Sequence, residues 1–180
     1  NAEEISKRMN GKAAFEIKLD GIRIQAHKDD SKVWLFTRRM EDYTHMFPDL
    51  VEPVASAIQA SCAIVDGELV AINPDSGKPM PFQEVLKRRR KYGIEKAIKE
   101  IPVEFHLFDV LLVEKQILMD KPYLERRKVL EKIIKPNDHV KIVEQKILDS
   151  AEKIQEFADY AVKIGHEGLL AKDLKSPYRA

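Results

Sequence analysis

Phe15, Ile17 and Leu19 alternate with Glu16 and Lys18, a period of two that predicts a strand with its apolar set on one face and both charges on the other. Asp20-Gly21 is a turn signal, and a second alternating run over residues 22–26 follows at once. Asp29-Asp30-Ser31 turns the chain into residues 33–37. The pattern predicts a small antiparallel meander in which the opening strand pairs with the next. Upstream, residues 2–9 read as the tail of a helix stopped at Asn10-Gly11, from which the natural protein is expected to continue backwards.

Further along, residues 42–44 open a short helix, and residues 48–58 a longer one with Pro48 in its first turn. A strand is predicted over residues 62–72, interrupted at Asp66-Gly67-Glu68. Residues 73–77 form a loop. Residues 81–91 read as a helix with Phe82, Val85 and Leu86 on one side and a basic run from Lys87 to Lys91. Gly93 breaks it, and residues 94–101 give one or two more helical turns. Residues 103–113 are apolar or aromatic except Glu104, His106 and Asp109, the signature of a central strand. An amphipathic helix follows over 123–134, a strand over 140–147, and a helix capped by Asp149 or Ser150 that runs to Ile164 and closes at Gly165. Residues 167–172 form the last strand. Strands in adjacent antiparallel pairs, separated by helices, make the fold α+β.

Composition narrows the function classes. The 180 residues are 44% hydrophobic and 34% charged, with a net charge of +1, so no global basic field exists to hold nucleic acid. Binding of that kind needs a local patch or help from elsewhere, and the run Lys87–Lys91 is either such a patch or a solvated helix face. One cysteine, Cys62, excludes an internal disulfide; its apolar surroundings predict a buried structural thiol. No apolar run approaches the ~20 residues of a membrane span, and no signal peptide is visible. The five histidines lack metal-ligand spacing. There is no Gly-x-Gly-x-x-Gly, no Gly-x-Ser-x-Gly, and no P-loop, because Ile72 stands where the first glycine before Gly77-Lys78 is required. A triphosphate would therefore be held by basic side chains. Asp66 and Glu68 share a face inside an apolar strand, where a carboxylate pair is costly without a cation.

Five islands recur in an order that resembles the adenylation domain of ATP-dependent DNA ligases, members of the covalent nucleotidyltransferase superfamily. Lys18-x-Asp20-Gly21-x-Arg23 resembles motif I, Thr37-Arg38 the Ser-Arg element, Asp66-Gly67-Glu68 motif III, Phe108-Asp109 motif IIIa, and Glu167-Gly168-x-x-x-Lys172 motif IV. The stretch from Pro81 to Arg90 and Ser176-Pro177-Tyr178 are similar to the archaeal and eukaryotic replicative type.

The resemblance implies an ATP-grasp-like nucleotidyltransferase fold of antiparallel sheets flanked by helices. It implies that Lys18 attacks the α-phosphorus of ATP, forms a lysyl-AMP phosphoramidate and releases pyrophosphate, and that AMP passes to the 5′-phosphate of a DNA nick before the 3′-hydroxyl seals it. Arg23, Lys172 and Mg²⁺ would lower the Lys18 pKa. Glu68 and Glu167 would hold Mg²⁺, with Mn²⁺ as the open alternative. Glu16 would read the adenine, Phe108 stack on it, Arg23 and Arg38 contact ribose or phosphate, and Lys172 bind the α-phosphate. Further implications are nicked double-stranded DNA as partner, a sliding clamp reached through regions outside this chain, a monomer, roles in replication, repair and recombination, and an intracellular location, cytoplasmic in a prokaryote or archaeon and nuclear in a eukaryote. Residues 1–180 are expected to be one adenylation domain ending before motif V, a Lys-x-Lys, and before an OB-fold domain. The fragment alone would then bind nucleotide without completing ligation. Capping guanylyltransferases and RNA ligases share Lys-x-Asp-Gly but not the Phe82–Arg90 stretch or the Ser-Pro-Tyr tail. A non-catalytic binding module would have no use for Lys18, Glu68, Glu167 and Lys172 together.

Overall fold

The structure is a computed structural model that describes residues 12–90 and 92–179. Among them, two sheets carry the fold. In the smaller, β1 (Ala13–Lys18) lies between β9 (Gln145–Leu148) and β10 (Gly168–Lys172), antiparallel to both. The larger runs in the order β3 (Lys32–Thr37), β2 (Ile22–Asp29), β4 (Cys62–Ile72), β6 (Val103–Val113) and β7 (Gln116–Ile117). β5 (Pro79–Met80) pairs with β4, and β8 (Val140–Ile142) runs parallel to β6. The helices are α1 (Pro48–Ala57), α2 (Phe82–Leu86), α3 (Ile94–Glu100), α4 (Tyr123–Ile133) and α5 (Ala151–Lys163), with a 3₁₀ turn at Thr44–Met46. The α+β expectation holds. The helix expected over residues 2–9, its cap at Asn10-Gly11 and the last basic residue, Lys91, lie outside the described residues.

Two apolar cores explain the main departure from the sequence reading. Ile24 and Ala26 of β2 enter a core with Leu35, Leu50, Val54, Val65, Phe105, Leu107 and Leu130. Phe15 and Ile17 of β1 enter another, with Ile154, Phe157 and Ala161 of α5. β1 joins β9 and β10 in the smaller sheet over its own core, and β2 joins β3 and β4 in the larger one. β1 and β2 do not pair, and Asp20-Gly21 is a crossing between sheets rather than a hairpin. The crossing is tight: a Cβ on Gly21 would stand 2.0 Å from the Leu69 carbonyl oxygen. β2 and β3 do form the expected antiparallel pair.

Other boundaries shift for identifiable reasons. Residues 140–147 divide into β8 and β9, one in each sheet, so the segment stitches the sheets together. Asp66-Gly67-Glu68 does not interrupt β4; the strand continues and the irregularity appears as register shifts against β6. The helix expected over 81–91 stops at Leu86. Lys87, Arg88 and Arg89 continue as tight turns bonded to Glu84, Val85 and Leu86. The cause is Arg88, fully buried, whose guanidinium ion-pairs with Asp49 and donates to the carbonyls of Met46 (3.0 Å) and Ile101 (3.1 Å). The basic run is thus not one solvated face. Val85 is buried, whereas Phe82 and Leu86 are exposed. Cys62 is half-buried rather than buried. Ser150 caps α5 by accepting from the Lys153 amide at 3.4 Å.

Candidate adenylation site

A cavity of about 320 Å³ opens between the two sheets. β1 contributes Glu16 and Ile17, β10 Leu170 and Lys172, β2 Arg23, β4 Glu68, β6 Phe108 and Asp109, and α4 Tyr123 and Arg126; the tail adds Ser176 to Arg179. Phe108 stands on the larger sheet yet packs against the core of the smaller one, which places its ring at the junction. Of the residues predicted from sequence, the structure thus brings Glu16, Arg23, Glu68, Phe108 and Lys172 to one cavity. Arg38 instead lines a small adjoining cavity with Gln25, together with Arg23, Asp66 and Tyr178.

Glu16 lies on the charged face of β1 yet is shielded from water. It is 1% exposed. Its carboxylate lies 2.6 Å from Lys172 Nζ and 3.4 Å from Arg127 Nη1, and accepts from the Tyr123 hydroxyl. Burial pushes its pKa up, and Lys172 and Arg127 draw it back. Lys172 Nζ also sits 4.4 Å from the Phe108 ring centroid and 5.1 Å from that of Tyr123. A nearly dry carboxylate, a cation and two rings therefore form one wall. Such a wall offers a planar base both a stacking face and a hydrogen-bond acceptor.

Lys18 and Glu16 share a face of β1, two residues apart. Lys18 is nevertheless not part of the lining. Its Nζ is 2.5 Å from Glu167 Oε2, and both side chains are about half exposed. The hydrogen bond to Glu167, then that carboxylate's charge, raise the Lys18 pKa. The resemblance implies lowering by nearby cations; in this structure Glu167 works the other way and keeps the amine protonated.

Asp66 is fully buried, and the cation that compensates it is Arg23: Nη2 lies 2.7 Å and Nε 3.1 Å from Asp66 Oδ2. The pair holds the Arg23 pKa above its ordinary value although burial opposes the charge. Glu68 is pushed up to about 7, first by burial and then by the Asp66 charge, with Arg23 opposing. Asp66 and Glu68 thus differ: one is neutralised by an arginine, the other is left wanting a cation.

Sequence reasoning missed Tyr123, Arg126 and Arg127. Arg126 is buried and clasps Asp109 through Nε (2.8 Å) and Nη2 (3.1 Å). Arg127 donates from Nη2 to the Val143 carbonyl at 2.7 Å. A signal existed: residues 126 and 127 fall on the same 3.6-residue stripe as Tyr123, Leu130 and Ile133, so two arginines interrupt the apolar face of α4.

Residues 1–180 match the family model of the ATP dependent DNA ligase domain. The chain belongs to this family. A DNA ligase of Thermococcus fumicolans is 50% identical over 171 residues, 94% of this chain and 30% of that protein. One from Methanopyrus kandleri is 49% identical over 180 residues, 99% of this chain and 32% of its own length. The ligase domain described here therefore spans about a third of those relatives. Among solved structures, the mycobacterial DNA ligase D complexed with ATP and MES aligns with a TM-score of 0.69 at 27% identity, covering 93% of this chain and 50% of that one. The fold is accordingly that of nucleotidyltransferase domains, with antiparallel sheets flanked by helices. No helix among the described residues is long and apolar enough to cross a membrane.

Proposed function

We propose that this ligase domain takes AMP from ATP onto Lys18 and, within a longer protein, delivers it to the 5′-phosphate of nicked double-stranded DNA for sealing by the 3′-hydroxyl. The observation that carries the reading is the Glu16–Lys172–Phe108 wall, which a nucleotide base and its α-phosphate would complement, on the strand face that also bears Lys18. Phe108 stacks on the adenine, and Glu16 accepts from its amino group. Lys172 turns from Glu16 to the α-phosphate and stabilises charge developing there. Arg23 and Arg38 contact ribose or phosphate from the two adjoining cavities. The Lys18 amine, once it has passed its proton to Glu167 or water, attacks the α-phosphorus. A P–N bond forms, the α–β bridging P–O bond breaks, and pyrophosphate leaves with the electron pair.

The donor set fits Mg²⁺. The described residues hold no group of three or more His, Cys, Asp and Glu side chains placed for a metal ion; Mg²⁺ keeps several waters and takes one or two carboxylates plus substrate phosphates. Glu68, raised to about 7 by burial and by Asp66, is a carboxylate that such a cation would stabilise, and Glu167 is the second. When bound, Mg²⁺ would neutralise phosphate charge.

The test is incubation of the protein carrying this domain with ATP and Mg²⁺ and measurement of intact mass. An AMP adduct that Lys18→Ala abolishes supports the reading; no adduct overturns it. GTP in place of ATP separates ligase from capping enzyme.

A further inference from the structure

After β10 the chain returns along α4 as an irregular segment, residues 173–179, and forms one wall of the cavity. Its course is fixed by donors that α4 must satisfy. The first amides of a helix have no intrahelical acceptor. Here the Leu124 amide donates to the Leu174 carbonyl (3.0 Å) and the Tyr123 amide to that of Ser176 (2.9 Å). Arg126 Nη1 adds a third bond, also to the Ser176 carbonyl, at 2.9 Å. The Tyr178 amide donates to the Met119 carbonyl at 2.8 Å.

This route delivers the Tyr178 ring between two guanidinium groups, with Arg23 Cζ 5.9 Å and Arg126 Cζ 6.0 Å from its centroid. The hydroxyl donates to Asp66 Oδ2 at 2.7 Å and accepts from Arg23 Nη2 at 3.1 Å and Gln25 Nε2 at 3.3 Å. Asp66 and Tyr178 thus hold Arg23 through Nε and Nη2, and Arg23 and Tyr178 both line the cavity. Asp66 meets the guanidinium at Nε and Nη2, and the Tyr178 hydroxyl adds a second acceptor on Nη2 that holds its orientation further.

We propose that Tyr178 is a positioning residue for nucleotide binding, acting through Arg23: its hydroxyl fixes the plane in which Arg23 meets the ATP phosphates or ribose. The proposal rests on the reading of the cavity as an ATP site. It makes the Ser176-Pro177-Tyr178 segment part of the nucleotide-binding apparatus rather than a bystander after the last strand.

A double-mutant cycle on the full chain tests it, with ATP affinity measured by calorimetry in EDTA so that no adduct forms. Tyr178→Phe keeps the ring and removes the hydroxyl; ATP affinity falls about tenfold, the value of one hydrogen bond to a charged group at the lower end of its range. Arg23→Gln lowers affinity further. In the Arg23→Gln background Tyr178→Phe changes affinity less than twofold, because the residue it serves is gone. Losses from Tyr178→Phe and Arg23→Gln that multiply would show Tyr178 acting apart from Arg23 and overturn the proposal. So would parent-like affinity of Tyr178→Phe. Parent protein that fails to bind ATP removes the ATP-site reading itself, and the proposal with it; intact parent binding with a multiplicative cycle removes the proposal alone.

Discussion

Lys172 Nζ lies 2.6 Å from Oε2 of Glu16, yet the two residues are not opposite each other in the sheet. The register pairs Glu16 with Leu170 and Ala14 with Lys172, so the ion pair is a diagonal across β1 and β10. The diagonal leaves Lys172 a quarter exposed and able to turn toward a ligand, while the carboxylate stays dry. Glu16→Ala leaves Lys172 and Arg127 facing an empty, partly buried site. The expected cost is about 3 kcal/mol of unfolding free energy, the lower end for breaking a buried pair. It is read as a lower urea midpoint at unchanged slope. Glu16→Gln, which still accepts from Tyr123, is expected to cost less. A Glu16→Ala protein as stable as its parent would show that the cations escape to water freely.

Glu68 gives the fold a pH dependence with a definite sign. Burial, then the Asp66 charge, lift it from 4.5 to about 7. Between those values the folded state holds a proton that the unfolded chain has released. The contribution to stability is therefore full below 4.5, falls as pH rises through the window, and is gone above about 7. The span sets an upper bound of about 3 kcal/mol. In buffer without divalent cations, Glu68→Gln is expected to flatten the decline in melting temperature across this window and to be more stable than the parent above it. A Glu68→Gln protein that keeps the parent's slope would assign the titration to another group.

Local pattern carried far in this chain. β4 and β6 have the bounds the sequence predicts, because a long apolar run between turn signals leaves little choice. Glu16, Arg23, Glu68, Phe108 and Lys172 were legible through the motifs that resemble those of the ligase adenylation domain, and each lies in a strand. Pairing was not legible. Nothing local tells β1 to leave β2 for β9 and β10, since that choice is made by which core each apolar face enters. Partners of buried charge were equally hidden. Arg88 sits in a run of basic residues, and only its depth separates it from Lys87 and Arg89. Asp66 and Arg23 are 43 residues apart, so the carboxylate could be recognised as needing a cation without that cation being named.

The Lys18–Glu167 pair predicts an effect on the amine itself. Because the Glu167 hydrogen bond is the largest influence raising the Lys18 pKa, Glu167→Gln lowers that pKa and increases the unprotonated fraction at any fixed pH. Acetylation of Lys18 by an amine-directed reagent, followed by peptide mass without nucleotide or metal, is expected to be faster in Glu167→Gln, with its rate profile displaced to lower pH. Identical profiles in the two proteins would mean that the pair does not hold the proton in solution. Adenylation should respond oppositely, since the proposed metal carboxylate is lost with the same substitution.

Gly21 tests whether the crossing between sheets holds the site together. Arg23 stands opposite Glu68, and Ile22 opposite Leu69, in the β2–β4 register. A methyl group on Gly21 would lie 2.0 Å from the Leu69 carbonyl oxygen and 2.8 Å from its carbon, both backbone atoms that cannot rotate away. Gly21→Ala therefore has to push the start of β2 off β4. The expected cost is about 3 kcal/mol, the upper part of the range for overpacking. The same shift carries Arg23 away from Asp66 and Glu68, so ATP affinity falls with stability. Gly77→Ala is the control. Gly77 has φ +68 but nothing within 4 Å of an added Cβ, so it bears backbone strain without a clash. It should cost about 1 kcal/mol and leave ATP affinity unchanged, because its loop lies outside the residues lining the cavity. Should Gly21→Ala lose stability while binding ATP like the parent, the crossing would be a matter of folding alone and the Arg23 register would be set elsewhere.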